Sequence, residues 1–400
     1  MQQAREDRLL KWSVLALVVV GLIAVYDASF PKSGFEQIRR QVIWAIIGWL
    51  AYWLGKRVPL VSLSRYVVWV ALPTLLLMLA TRFTPYGVQR NGAYRWLKIA
   101  QVGTVEITIQ PAELGKVVLI ALLARLLCHS NLVSACKPIW QRPHSWLWAF
   151  FCIFTAAGIV LGCQRDLGTA FMFVSIGMVM FFTAGLPLRW LVALALLVAI
   201  GGGIFTYYEH YRWQRVVAFT QPFAYINSSG YQLAHSLMGI GTGGIWGTGL
   251  GTGRAKEFLP AAETDFVFTT ISEETGVIGS TAVIVLLALV AWRTLLIAYK
   301  TEAMFPLLLV SGIGTMIALQ SLLNLYVVTG SIPTTGVPLP FISYGGSSLV
   351  SLLFSIGLVQ KVACTPMIER VKEAPHARVA GGRRNRGTPV SRREYRRGIA

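Results

Sequence analysis

The chain has 400 residues, of which 13% are charged and 55% belong to the apolar set AVILMFWYC, with a mean hydropathy of +0.59. Soluble domains carry about 25% charged residues, so this composition excludes a water-clothed globule, and its apolar content excludes a disordered chain. The net charge is +19, partly gathered from Lys361 onward, where eleven Lys/Arg meet three Glu; with no nucleic-acid-binding pattern, a basic tail brushing anionic lipid fits better than a nucleic-acid partner.

A helical span needs about 20 mostly apolar residues. The chain predicts ten: 12–30, 38–54, 65–81, 112–128, 146–162, 168–184, 188–206, 266–292, 304–328 and 341–361. Segments of alternating hydrophobicity, as a barrel would need, are not read. The opening MQQAREDRLLK has no small-residue cleavage site after it and reads as the lead into a retained span. The five cysteines are scattered with no CxxC, which argues against a disulfide framework or zinc site. The organisation is then an N-terminus (1–11), a ten-span all-α membrane domain (12–361) and a basic, disordered tail (362–400). An even number of spans puts both termini on one side, and the basic tail makes that side cytoplasmic.

Two outer loops are long, 82–111 and 207–265, and loops of such length usually serve a function. They gather Arg82, Arg90, Arg95 and Lys98 in one, and Arg212, Arg215, Arg254 and Lys256 in the other. This pattern points to an anion held on the outer face. In the first loop, Trp96 beside Arg95 reads as part of that site or as an interfacial anchor. At the start of the fourth span, Glu113 and Lys116 are three apart, so they pair, or Lys116 meets a phosphate. Asp166 lies in a very short outer turn, where a turn or cap role competes with a functional one.

In the second loop, Arg212 and Arg215 share a helical face and could clamp one phosphate, or be surface arginines. Residues 230–253 hold nine glycines. They could cradle an anion with backbone amides or form a close-packed re-entrant segment; no GxxxxGK[ST] is present, which rejects a nucleotide P-loop. In FLPAAETDFVFTTISEETG (258–276), Pro260 ends what precedes it, and Thr264 or Asp265 can cap the helix that follows. The alternative is an Asp265 carboxylate held where a polar head meets the bilayer. Glu273 and Glu274 fall inside a span, where acids are by default functional or ion-paired. The run IPTTGVPLPFISYGGSS (332–348) must have irregular backbone, which membrane depth tolerates only when buried or lining a cavity.

Taken together, GAYRWL, QPAELGK, QRDLGT, YRWQR, GYQ, LPAAETDF and PLPFISYGGSS resemble the SEDS family, the shape, elongation, division and sporulation proteins FtsW, RodA and SpoVE. The resemblance spans about residues 12–361 and is nearer the FtsW/SpoVE branch. It departs from the family pattern at Glu263, where His, Asn or Gln is usual, and at Arg165, where Pro is usual.

The resemblance implies a peptidoglycan glycosyltransferase of the bacterial inner membrane that polymerises lipid II onto a nascent glycan strand. It implies partners too: a class B penicillin-binding protein (a transpeptidase) and other division- or elongation-complex proteins. Asp265 matches the family's proposed catalytic residue. Lys116, Arg212, Arg215 and Arg95, with Trp96, Glu113, Asp166, Glu273, Ser343 and Gly345, are the candidate substrate-binding residues. A divalent cation, Mg or Mn, would fall to Asp265 and Glu263. One carboxylate suffices because a diphosphate leaves with little protonation, unlike the paired carboxylates of glycoside hydrolases. A lipid II flippase and a non-catalytic transpeptidase scaffold are the competing readings.

Overall fold

The computed structural model describes residues 6–90, 92–102, 105–128, 143–208, 210–260 and 262–365. Long apolar stretches become helices because a bilayer leaves the backbone no other partner. In chain order they open with α1 (Arg8–Ser33), α2 (Glu36–Arg57) and α3 (Leu60–Phe83). After a connecting segment come α4 (Pro111–Leu127), α5 (Pro143–Gly162), α6 (Leu167–Thr183) and α7 (Leu188–Tyr208). A second long connection holds α8 (His210–Thr220), α9 (Tyr231–Gly243) and α10 (Ala255–Phe258). The chain then returns through α11 (Val267–Tyr299), α12 (Met304–Val328) and α13 (Gly346–Cys364).

Local signals place the helix starts. Asp7 caps α1 by accepting from Leu10 N at 3.0 Å. Pro111 opens α4, where its missing N–H costs nothing. Among the described residues, α1, α3, α5, α11, α12 and α13 are long and apolar enough to cross a membrane on length and composition alone, and α6 and α7 are shorter apolar helices. α2 and α4 carry more charge, yet every predicted span has its helix, and the bundle is a polytopic membrane protein of about ten spans.

Three expectations are corrected. The loop 82–111 is a three-stranded antiparallel sheet, β1 (Gly87–Arg90), β2 (Ala93–Val102) and β3 (Val105–Ile109), in the order β1-β2-β3. The eighth span runs on to Tyr299 and is broken at Gly276, whose φ of 65° no ordinary helical residue adopts. The last helix begins at Gly346, not at 341, because Pro338, Pro340 and a positive φ at Phe341 (65°) keep the preceding chain irregular. The tail beyond 365 and most of the inner loop 129–145 lie outside the described residues.

The core gathers on α4, α6 and α12, with Ile120, Leu123, Phe173, Met180, Leu309 and Ile313 almost fully buried. Without a strong hydrophobic drive between helices in lipid, close approach supplies the packing. At Gly312 an added Cβ would come within 2.6 Å of Ile120 and 2.9 Å of Met180. At Gly357 it would come within 2.2 Å of the Tyr52 carbonyl, which is how closely α13 lies on α2.

Candidate active site

Asp265 lies in a turn (262–266) just ahead of α11. Neither it nor Thr264 caps that helix: the cap position is Phe266, with no side-chain capping bond. Three consecutive carbonyls of the turn are instead held from outside. Glu263 O accepts from Tyr344 N at 2.8 Å, Thr264 O from Ser343 Oγ at 2.6 Å, and Asp265 O from Asn324 Nδ2 at 2.8 Å. The turn is therefore fastened to α12 and to the Pro-rich segment before α13.

That segment forms the other wall. Gly336 has φ 74°, a conformation that glycine adopts without strain. A Cβ there would lie 3.2 Å from Arg95 Nη1 and 3.5 Å from Asp265 Oδ2, so Gly336 leaves room for both side chains beside it. Arg95 comes from β2, at a β-bulge where the pairing with β1 steps from Gln89–Tyr94 to Val88–Trp96 and leaves Arg95 as the extra residue. Its Nε lies 3.1 Å from Asp166 Oδ2. Asp166 is fully enclosed and caps α6, accepting from Thr169 N at 3.1 Å and Thr169 Oγ1 at 2.9 Å. From α8, Arg215 Nη1 donates to Thr334 O at 3.1 Å. Arg95, Arg215, Asp166 and Asp265 thus converge around residues 334–336.

Burial pushes the Asp265 carboxyl up to about 6; Arg95 and Arg215 pull it down, while Asp166 and Glu263 push it up further. The second carboxylate that replaces a neutral family residue at 263 acts in the direction its charge predicts. Among the described residues no group of three or more His, Cys, Asp or Glu is placed to hold a metal. Glu263 Oε2, however, is buried with no hydrogen-bond partner.

The other candidates divide. Lys116 and Glu113 form a buried pair at 2.9 Å, and Lys116 Nζ also donates to Gln320 Oε1 at 3.1 Å. Trp96 is half-buried and pairs with Val88 just after the bulge at Arg95. Arg212 lies on α8, and its side chain falls outside the described residues. Ser343 is buried and acts as a staple, accepting from Leu339 N at 2.8 Å while donating to Thr264 O. Gly345 N donates to Gln41 Oε1 at 3.4 Å, at the entrance to α13.

Glu273 is not brought to Asp265. It stands eight residues on, about 12 Å along the chain direction of a helix. Its carboxylate accepts from Arg254 N at 3.0 Å and Ala255 N at 2.9 Å, while Glu274 accepts from Gly251 N and Gly253 N, both at 3.0 Å. These two acids occupy the amides that an anion cradle would have offered, so the glycine-rich stretch is the close-packed alternative. An added Cβ would meet Ser272 O at 2.1 Å from Gly243, and Glu274 O at 2.1 Å from Gly247. Lys256, read from sequence as an outer-surface cation, is 4% exposed and bridges Asp27 at 2.6 Å and Glu274 at 2.7 Å.

Sequence reasoning missed the amides. Gln320 and Asn324 lie one turn apart on α12, and both are buried at the site's base. A pair of carboxamides at i and i+4 in an apolar span was the available signal.

A many-span bundle with an arginine-flanked carboxylate in a turn between spans defines a membrane protein equipped to handle an anionic, polar-headed molecule. The FtsW/RodA/SpoVE cell cycle protein model matches residues 7–366, and the chain belongs to that family. It is 34% identical to stage V sporulation protein E of Bacillus subtilis, over 89% of this chain and 96% of that protein. It is also 34% identical to the "Probable peptidoglycan glycosyltransferase FtsW" of Halothiobacillus neapolitanus, over 93% of this chain and 90% of the relative. The crystal structure of the rod shape determining protein RodA of Thermus thermophilus aligns with a TM-score of 0.65 at 25% identity, covering 90% of this chain and 97% of that one. A chain from a structure of a peptidoglycan synthase complex that coordinates polymerization and crosslinking aligns with a TM-score of 0.73 at 27% identity, covering 92% and 98%.

Proposed function

We propose that this protein is a peptidoglycan glycosyltransferase that polymerises lipid II into glycan strands during division or elongation. The observation that carries the reading is Asp265, a carboxyl raised to about 6 that serves no helix cap and faces Arg95 and Arg215. Such a group is ionised near neutral pH yet basic enough to take a proton.

In the step, Asp265 accepts the proton of the acceptor sugar's 4-hydroxyl. That oxygen bonds to the anomeric carbon of the donor, and the bond from that carbon to the lipid diphosphate breaks. The diphosphate carries the electron pair away. Arg95 and Arg215, with Arg212 on the same helix as Arg215, stabilise its charge. Lys116 reaches it only by leaving Glu113. Glu263, whose Oε2 is buried without a hydrogen-bond partner, and Asp265 are the residues that would hold a divalent cation; such an ion would add positive charge at the diphosphate.

A transpeptidase of the class B penicillin-binding type is the proposed partner, supported by the likeness to a chain from a synthase complex. The setting is the bacterial inner membrane, with both termini cytoplasmic and 207–265 outside. The test is purified protein incubated with lipid II, with and without that transpeptidase, and the products separated by length. Glycan strands that disappear with Asp265→Asn support the reading. Lipid movement across vesicles without joined sugars would point to a flippase, and neither outcome to a scaffold.

A further inference from the structure

We propose that Asn324 is a positioning residue for Asp265: one carboxamide on α12 that fixes the turn carrying the base against the opposite wall of the site. The inference rests on the reading of Asp265 as base.

Asn324 is 1% exposed, within the apolar run SLLNLYVV. A polar group there is unfavourable unless it is hydrogen-bonded. Its Nδ2 donates to two carbonyls at once, Asp265 O at 2.8 Å and Val337 O at 2.8 Å. Those acceptors belong to different segments, the turn 262–266 and the Pro-rich segment before α13. Val337 adjoins Gly336, where an added Cβ would touch both Arg95 Nη1 (3.2 Å) and Asp265 Oδ2 (3.5 Å). A single side chain therefore bridges the turn that carries the carboxylate and the wall along which Arg95 and Arg215 reach.

The amide has one possible orientation. Turning it over would set its oxygen against two carbonyl oxygens, which repel. In the orientation that works, Oδ1 is buried with no hydrogen-bond partner. A leucine has the same branching and no orphaned acceptor, so filling an apolar span alone does not account for an asparagine. Gln320, one turn earlier, makes a useful contrast. Its Nε2 donates to Pro338 O at 3.1 Å and its Oε1 accepts from Lys116, so both ends are satisfied and neither bond touches the Asp265 turn.

The turn has other ties, through Ser343 and Tyr344, so losing Asn324 should loosen Asp265 without unfolding the bundle. Small misplacements of a reacting group are expensive: about 1 Å can cost about 100-fold in rate. The experiment is steady-state polymerisation of lipid II by detergent-purified, full-length Asn324→Leu and Asn324→Ala, with thermal midpoints measured on the same samples. Expected is a kcat loss of about 10- to 100-fold with KM within about twofold, and a midpoint within about 5 °C of the parent. Parent-like kcat in either folded variant overturns the proposal. So does a rise in KM as large as the fall in kcat, or a failure of both variants to fold, which would assign a structural role only. Asp265→Asn run alongside separates the two readings. If it polymerises normally, the base assignment fails; if it is inactive while Asn324→Leu is normal, only the positioning role falls.

Discussion

Asp265 must be ionised to take a proton, and its carboxyl is raised to about 6. The kcat/KM for polymerisation should therefore fall on the acid side with a midpoint near that value, read from a pH–rate profile. Asp265→Asn should lower the rate by about 10²–10⁴-fold, with Glu263→Gln milder. The stability effect has the opposite sign. Because the folded value lies above the ordinary 3.8, the contribution of the neutral form is fully present below 3.8 and is lost as pH rises through about 6. The neutral Asn variant should thus melt higher than the parent above that pH and equally at low pH, by thermal midpoints across a pH series. Arg215→Lys keeps a charge but loses the fork that reaches Thr334 O; turnover should drop several-fold at unchanged midpoint, and parent-like turnover in both Arg215→Lys and Arg215→Ala would remove it from the site. Charges were legible at this scale because they stand out in an apolar chain, as Arg95, Asp166 and Asp265 do. Asn324 was not, since it carries no charge and its partners are backbone carbonyls 59 and 13 residues away.

The turn that delivers Asp166 has Arg165 at φ 54°. A proline ring locks φ near −65°, so family members with proline at this place must shape the turn differently. Arg165→Gly should keep activity and raise stability by about 0.5–1 kcal/mol, while Arg165→Pro should shift Asp166 off Arg95 and lower both; the two are compared by activity and melting. Lys256→Met would leave buried Glu274 and half-buried Asp27 without their shared cation, and a loss of about 3 kcal/mol is expected from denaturation in detergent. The helices were legible from hydropathy, but their interiors were not. Whether Glu273 and Glu274 served a substrate or the glycine-rich stretch depended on where residues 251–255 folded back, which no local pattern states. The sheet was missed because its ten-residue strand AYRWLKIAQV alternates only weakly and sits between two strong spans.

At the scale of the whole molecule, the proposed topology puts the glycine-rich stretch outside. Trp246 is 81% exposed, so Trp246→Cys, with native cysteines removed, should react with an impermeant thiol reagent in intact cells; reaction only after permeabilisation would invert the arrangement. Lys256, the natural choice from sequence, would be a poor reporter because it is buried. Charge and hydropathy made the span count legible, whereas the ties between distant helices depend on packing. The end of the bundle that holds both termini of the helical domain shows such a tie. Asp7 N donates to Gln360 Oε1 at 2.9 Å, Gln360 Nε2 donates back to Asp7 O at 2.8 Å, and Arg293 binds the Asp7 carboxylate at 2.6 Å. A ribosome delivers Asp7 long before Gln360, so the first helix enters the bilayer with this anchor missing and keeps it missing until the last helix is inserted. A nascent chain stalled before α13 therefore leaves open the face of α2 against which α13 packs.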